Sequence, residues 1–167
     1  LKDDFWKYID SEKVNPATQH AVQKDIWDRY GKALKEIIES FLDGRRDEIK
    51  LHNNGLLWGR KTDTALTWMN VYDVNRKPIT ERGGYQVEVN ALWYNALCYY
   101  LELDKKFGDG NYAKRLSVIV KAIKDNFYNY FWCEERGHLA DYVDEEGQNI
   151  FTRPNQLIAC SVPYSPI

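Results

Sequence analysis

Residues 87–103 read VEVNALWYNALCYYLEL, and the reading of this stretch decides the fold. It is apolar nearly all round, interrupted mainly by Glu88, Asn90, Asn95 and Glu102, so as a helix it has to be buried on several sides. The neighbouring segments differ. From Thr18 to Leu42 the apolar residues Ile26, Trp27, Tyr30, Leu34, Ile37, Ile38 and Phe41 recur at three- and four-residue steps. That spacing predicts an amphipathic helix, with Pro16 and Thr18 at its start and the Asp43–Arg46 stretch at its end, glycine relieving a left-handed turn and the arginines facing the negative terminus. Tyr112–Trp132 again carries one stripe, Leu116, Ile119, Val120, Ile123, Phe127, Tyr130 and Phe131, opposite Lys114, Arg115, Lys121 and Lys124. A fourth helix is predicted in TRPNQLIACSV, with Thr152 and Pro154 near its first turn. The order outer, inner, outer, inner points to an all-α fold with small β-hairpins, in the manner of an α/α toroid. An ordinary helical bundle fits the same periodicity.

The hairpins are read from turn chemistry. Asn54-Gly55 stands between short apolar runs, and both residue types tolerate positive φ; a second hairpin is read around Glu145-Glu146-Gly147. Between Arg60 and Gly84 the pattern is irregular, with Pro78 and Gly83-Gly84, and a long loop without its own periodicity in a compact domain is usually functional. Trp58, Trp68, Trp93 and Tyr94 fall near the hairpin, this loop and the helix start. Ring faces beside carboxylates and amides suit a sugar, which presents apolar C–H faces and a rim of hydroxyl groups. Each ring taken singly reads first as core packing; it is their grouping with the polar loop that points to a sugar.

Composition excludes several classes. A chain of 167 residues suffices for one core and, as a compact domain, would bury roughly 70% of its unfolded surface. With 23 basic and 25 acidic residues the net charge is −2, which supplies no positive field for nucleic acid or an anionic membrane. No run reaches the roughly 18–20 apolar residues of a membrane span, and LKDDFWKYID lacks the order of a signal peptide; a cytoplasmic protein is expected. Cys98, Cys133 and Cys160 read as buried thiols of a reducing compartment, and the dispersed His20, His52 and His138 offer no metal-ligand spacing. Neither metal nor cofactor is expected. Because Met69 is the sole methionine and the chain stops soon after a helix begins, it reads as an excised piece of something longer.

Glycoside hydrolysis usually employs two carboxyl groups across the scissile bond, and the candidates are Asp63, Asp73, Glu81, Glu88, Asp141 and Asp144. Spacing picks no pair. In a helix, positions 88, 92, 95 and 99 share a face, so Glu88 and Asn95 point the same way. Glu88 is read either as an anchor for loop groups or as a member of an active cleft, and Asn90 and Asn95 either as structural amides or as ligand contacts.

The strings GLLW, LTWMN, VEVNALWYNAL, YYLEL and RPNQLIACSVPY, in this order, resemble the C-terminal glucosidase region of glycogen debranching enzymes over roughly Trp27–Tyr164. The resemblance implies an (α/α)6 barrel, of which residues 1–167 would be a single partial domain from the middle portion. It implies hydrolysis, with inversion, of α-1,6-linked glucose at branch points of glycogen or another branched α-glucan. Trp68 and Asn70 fall on the family's Thr-Trp-Met-Asp motif, where an aspartate would be the general acid; here Asn70 stands in its place. Either Asn70 only binds substrate and Asp73 or Glu88 takes the acid role, or the chain is catalytically weak. The second catalytic carboxylate is expected beyond Ile167. Glu88, Asn90, Trp93, Tyr94 and Asn95, with Arg153, Asn155 and Gln156, match motifs expected to line or brace the glucose pocket. Self-association through exposed barrel edges is expected of the isolated piece, which alone should be inactive. The alternatives are a non-catalytic carbohydrate-binding or scaffolding module, and a related barrel glycosidase acting on another glucoside.

Overall fold

The computed structural model describes residues 15–59, 66–69 and 71–167. Helix α1 (Pro16–Leu42) starts where the Asn15 side chain accepts a hydrogen bond from the Ala17 N–H at 2.9 Å, with proline preset for the first turn. At its other end Gly44 takes a φ of 61°. Arg45 does not cap the terminal carbonyls with its side chain as expected; it reaches Asp43 instead, at 3.0 Å.

After α1 come β1 (Ile49–Leu51) and β2 (Leu57–Gly59), paired antiparallel with Leu51 opposite Leu57. The hairpin stands where Asn54-Gly55 predicted one, but only Gly55 has positive φ, 82°. Asn54 stays at negative φ because its side chain accepts the Leu56 N–H at 3.0 Å and closes the turn locally. β3 (Tyr85–Gln86) leads directly into α2 (Val87–Phe107), which is followed by α3 (Ala113–Phe131). β4 (Trp132–Cys133) and β5 (His138–Leu139) form a short hairpin that sequence analysis did not anticipate. β6 (Tyr142–Asp144) and β7 (Gly147–Asn149) form the expected one around Glu145-Glu146, with Gly147 at φ 110°. β3 joins the edge of β6, giving a sheet of order β3-β6-β7 at the N-terminus of α2, and Gly59 and Gly84 bridge it to β2. Helix α4 (Asn155–Ser161) closes the described chain.

Packing follows the predicted stripe of α3, and that of α1 except at Tyr30 and Ile37, each 55% exposed because no described element covers that side of the helix. α2 lies against α1, α3 and α4 and buries Val87, Ala91, Trp93, Leu97, Tyr100 and Leu103. α3 adds Leu116, Ile123, Phe127 and Phe131, all fully buried, and each such side chain stabilises the fold by roughly 1.5–3 kcal/mol. α1 lays Trp27 against Tyr100 at 5.7 Å between ring centroids. α4 is less buried than its composition suggested, since only Asn155 and Ala159 are enclosed while Leu157 is 64% exposed. The fold is therefore mostly helical with small antiparallel sheets, and the described residues close no barrel. Among them no helix is long and apolar enough to cross a membrane.

The cysteine expectation needs correction. Cys133 is buried, but Cys98 is half-buried and Cys160 exposed, because α4 covers its helix neighbours on one side only. Burial pushes the Cys98 thiol up in pKa against the pull of its Tyr94 hydrogen bond and of Lys124.

One buried carboxylate has a predictable pH signature. Asp104, near the end of α2, is 3% exposed, and its Oδ2 has no hydrogen-bond partner among the described residues. Burial, reinforced by the charge of Asp109, raises its pKa against the Gly110 N–H and Lys35, which lower it. A raised folded-state pKa means that the neutral form is favoured in the fold. The associated stability is full below the unfolded value, about 3.9, and is lost as pH rises through the folded value. Asp104→Asn should therefore match the wild type near about pH 3 and become progressively more stable relative to it toward neutrality. Urea midpoints across that range check this, and a constant difference between the two proteins would contradict it.

Candidate functional site

The sheet edge, the N-terminus of α2 and the start of α4 meet around one arginine. Arg82 ends the long loop with its side chain 1% exposed, beside Glu88 at 1% and Asp141 at 0%. Its Nη1 and Nη2 donate to the two Glu88 carboxylate oxygens at 2.5 and 2.8 Å. Its Nε donates to Asp141 Oδ2 at 3.0 Å, and Nη2 reaches Asp141 Oδ1 and the Asp141 carbonyl, each also at 3.0 Å. Burial alone would lower the pKa of the guanidinium; the Glu88 hydrogen bonds and the charges of Glu88 and Asp141 outweigh it and raise the value. Two paired carboxylates therefore remain around a permanent cation in a dry place.

The cluster continues outward. Arg153 Nη1 donates to Asp141 Oδ2 at 2.5 Å, so two arginines balance two acids. The Asn155 amide N–H donates to Asp141 Oδ1 at 2.6 Å, and its carbonyl accepts the Trp68 indole N–H at 3.1 Å. Trp68 is 62% exposed, so its ring edge is held from inside while most of its surface faces solvent. Local structure explains the convergence. Asp141 leads into β6 and is pinned on both sides, its carbonyl accepting the Val87 N–H at 3.1 Å and its N–H donating to Asn149 at 2.9 Å. Glu88 occupies the first turn of α2, where the helix dipole also favours a negative charge.

Five of the residues singled out in the sequence, Trp68, Glu88, Asp141, Arg153 and Asn155, thus belong to one hydrogen-bonded unit. The others sit elsewhere. Asn90 is fully buried and clamps β2, accepting the Leu57 N–H at 2.7 Å and donating to the Leu57 and Gln86 carbonyls at 3.1 and 3.0 Å. Trp93 donates to the Gly55 carbonyl at 3.3 Å and packs on Phe41 at 5.5 Å between ring centroids. Burial, with the neighbouring Cys98, pushes the half-buried Tyr94 up to about 12. Asn95 accepts the Tyr164 N–H at 3.1 Å, and Gln156 accepts the Leu139 N–H at 3.3 Å. Asp73 caps an exposed turn, its Oδ1 accepting the Asn75 and Lys77 N–H groups at 2.9 and 2.8 Å. Trp58 packs edge-on against Tyr85 at 4.8 Å, beside His52. Asn70 and Asp63 lie outside the described residues.

Arg82, the centre of the unit, was missed by sequence reasoning, and Asp141 was only one of several loose carboxylates. The available signal was an arginine just before Gly83-Gly84 and six positions ahead of a glutamate that needed a partner. Among the described residues no cluster of three or more histidine, cysteine or acidic side chains could hold a metal ion.

No curated protein sequence and no solved structure matches the chain. A family model described as amylo-alpha-1,6-glucosidase matches residues 3–167.

Proposed function

Because the chain belongs to the amylo-alpha-1,6-glucosidase family, we propose that it is the middle portion of a debranching-type glucosidase domain, one segment of an (α/α)6 barrel. The intact domain would hydrolyse α-1,6-linked glucose at branch points of glycogen or a similar α-glucan. The observation that carries this reading is the unbroken chain of hydrogen bonds from Trp68 through Asn155 and Asp141 to Arg82 and Glu88. It unites the loop, the helix start and the RPNQ segment, three stretches far apart in sequence, beneath an exposed aromatic face suited to a glucose ring.

In this reading Trp68 offers the stacking face, and Arg153, whose side chain is 24% exposed, offers its outer N–H donors to hydroxyl groups. Asn155 and Asp141 position both. Glu88 serves as the anchor of Arg82 and not as a proton carrier, because a proton on either oxygen would displace an arginine hydrogen bond in a dry site. Asp73 is committed to its turn. That leaves Asn70 where the acid is expected, and an amide does not deliver a proton and recover it as a carboxylic acid does. The other catalytic carboxylate would lie beyond Ile167. Asn90, Trp93, Tyr94, Asn95 and Gln156 brace the framework, on the contacts given above.

Two experiments test this. The chain alone should release no glucose from α-1,6-branched limit dextrin, and release would overturn the view that its catalytic set is incomplete. In the intact protein Asn70→Asp should raise turnover by about 10²–10⁴, the usual worth of a positioned general acid. Unchanged turnover there would remove the acid role from this position. Asn70 also favours a second reading, a non-catalytic carbohydrate-binding module; sugar binding with no turnover in the intact wild type would select it.

The apolar hollow between α1 and α2, 540 Å³ and lined by residues including Leu34, Ile37, Phe41, Leu92 and Trp93, is where neighbouring barrel helices would lie. Uncovered, it would drive self-association of the isolated chain.

A further inference from the structure

We propose that the turn joining α2 to α3 holds a calcium ion, with the buried carboxylate of Asp104 as its anchoring ligand. What carries this is an oxygen atom without a partner. Asp104 is 3% exposed, and its Oδ2 meets no hydrogen-bond partner among the described residues. It lines a 350 Å³ hollow shared with Gly108, Asp109, Gly110 and Ser117. An ionised carboxylate enclosed in this way is costly unless a proton or a cation balances it. Its place makes the cost larger, because Asp104 stands in the last turn of α2, at the negative end of the helix dipole.

The turn is built around this carboxylate. Asp104 Oδ1 rests against Gly108, where a β-carbon would overlap it, and the Gly110 N–H stabilises its charge. One oxygen is therefore held by the backbone and the other is left over. A second negative group stands close by: the charge of Asp109 raises the Asp104 pKa, so each carboxylate increases the other's demand for a cation. The protein's own cations do not meet that demand. Lys35 is committed to the Tyr112 ring, with Nζ 4.9 Å from its centroid, Lys105 is exposed, and neither forms an ion pair with Asp104.

The ligand chemistry selects the ion. Every uncharged or acidic donor around the hollow is oxygen: the two carboxylates, the Ser117 hydroxyl and the terminal carbonyls of α2, which lack intrahelical acceptor partners. No histidine or cysteine lines it, which disfavours zinc, copper and nickel. Calcium accepts an irregular oxygen shell completed by water, whereas magnesium demands a near-ideal octahedron. Two carboxylates fall short of a cluster of three acids, so the affinity expected is weak, on the order of 10⁻⁴–10⁻³ M. The bound ion would tie the end of α2 to the start of α3, about 24 Å along the axis from Glu88, and its role would be to hold the two helices in register.

The test titrates terbium(III), a luminescent stand-in for calcium, into the intact, chelator-treated protein at neutral pH. The Trp27 ring lies against the turn, its Cζ2 2.9 Å from where a Gly108 β-carbon would stand, so excitation of that indole should light a bound terbium ion. The signal should saturate, fall when calcium is added, and dim in Trp27→Phe. Asp104→Asn should weaken terbium and calcium binding about 10-fold or more, and Asp109→Asn, at an exposed position that leaves the fold intact, roughly 3- to 10-fold. Stability supplies the second readout. Without calcium Asp104→Asn is the more stable protein at this pH, as argued above; calcium at ten times its Kd should raise the melting temperature of the wild type by roughly 3–6 °C and leave the variant where it was. Absence of a saturable terbium signal overturns the proposal, and so does a calcium-dependent gain of equal size in Asp104→Asn.

Discussion

Arg82→Ala is expected to lower the folding free energy by about 3–5 kcal/mol, the cost of removing one partner from a buried ion pair. The reason is what stays behind. Glu88 and Asp141 are 1% and 0% exposed, and without the guanidinium two carboxylates would face each other in a dry pocket with Arg153 alone to balance them. Such a site has to take up protons, admit water or open. An exposed pair gives the scale: Lys24 and Asp28 on α1 approach to 2.5 Å with side chains 50% and 55% exposed, and removing that contact should change stability by about 0.5 kcal/mol or less. Urea unfolding of both variants makes the comparison. A loss below about 1 kcal/mol for Arg82→Ala would mean that the carboxylates are hydrated and the cluster is not the rigid centre described above.

Gly84→Ala should be nearly as damaging, at about 2–5 kcal/mol, because two separate penalties coincide. Gly84 has a φ of 75°, where a side chain costs about 1–2 kcal/mol, and a β-carbon there would overlap the Val143 carbonyl on the facing strand. That carbonyl is backbone and cannot swing aside. Gly84 also exchanges both backbone hydrogen bonds with Gly59, each at 2.8 Å, so the strain has no free direction in which to relax. Gly44→Ala is the control, since Gly44 has a φ of 61° with nothing within 4 Å of the added carbon; it should lose about 1–2 kcal/mol. Equal losses at the two glycines would show that backbone conformation alone matters and that β6 can move. Displacement of β6 would carry Asp141 with it and loosen Trp68, so the same substitution should weaken sugar binding on the proposed reading.

Much of this was legible before any coordinates. The stripes of α1 and α3, the enclosed character of α2 and the turns at Gly55 and Gly147 all follow from spacing and from which residues tolerate a left-handed backbone. The β4–β5 hairpin was not legible, because its strands are two residues each and two residues carry no period. Within the candidate site the sequence left Glu88 open between anchor and cleft member. What the sequence did not announce was the partner of Glu88, Arg82, which precedes the turn at Gly84 (φ 75°). Asn90 offers the complementary case: nothing local distinguishes an amide that binds a ligand from one that clamps a strand, and only the approach of Leu57 separates them.

What the sequence determined by itself was the set of helices, the enclosed stripe of α3 and the family, because periodicity and motif strings are properties of the chain read in order. What only the tertiary structure decided was which charges pair and which rings face solvent. An arginine selects its carboxylates by distance in three dimensions, and residues 82, 88, 141, 153 and 155 become neighbours only when β6 is laid beside β3 at the head of α2.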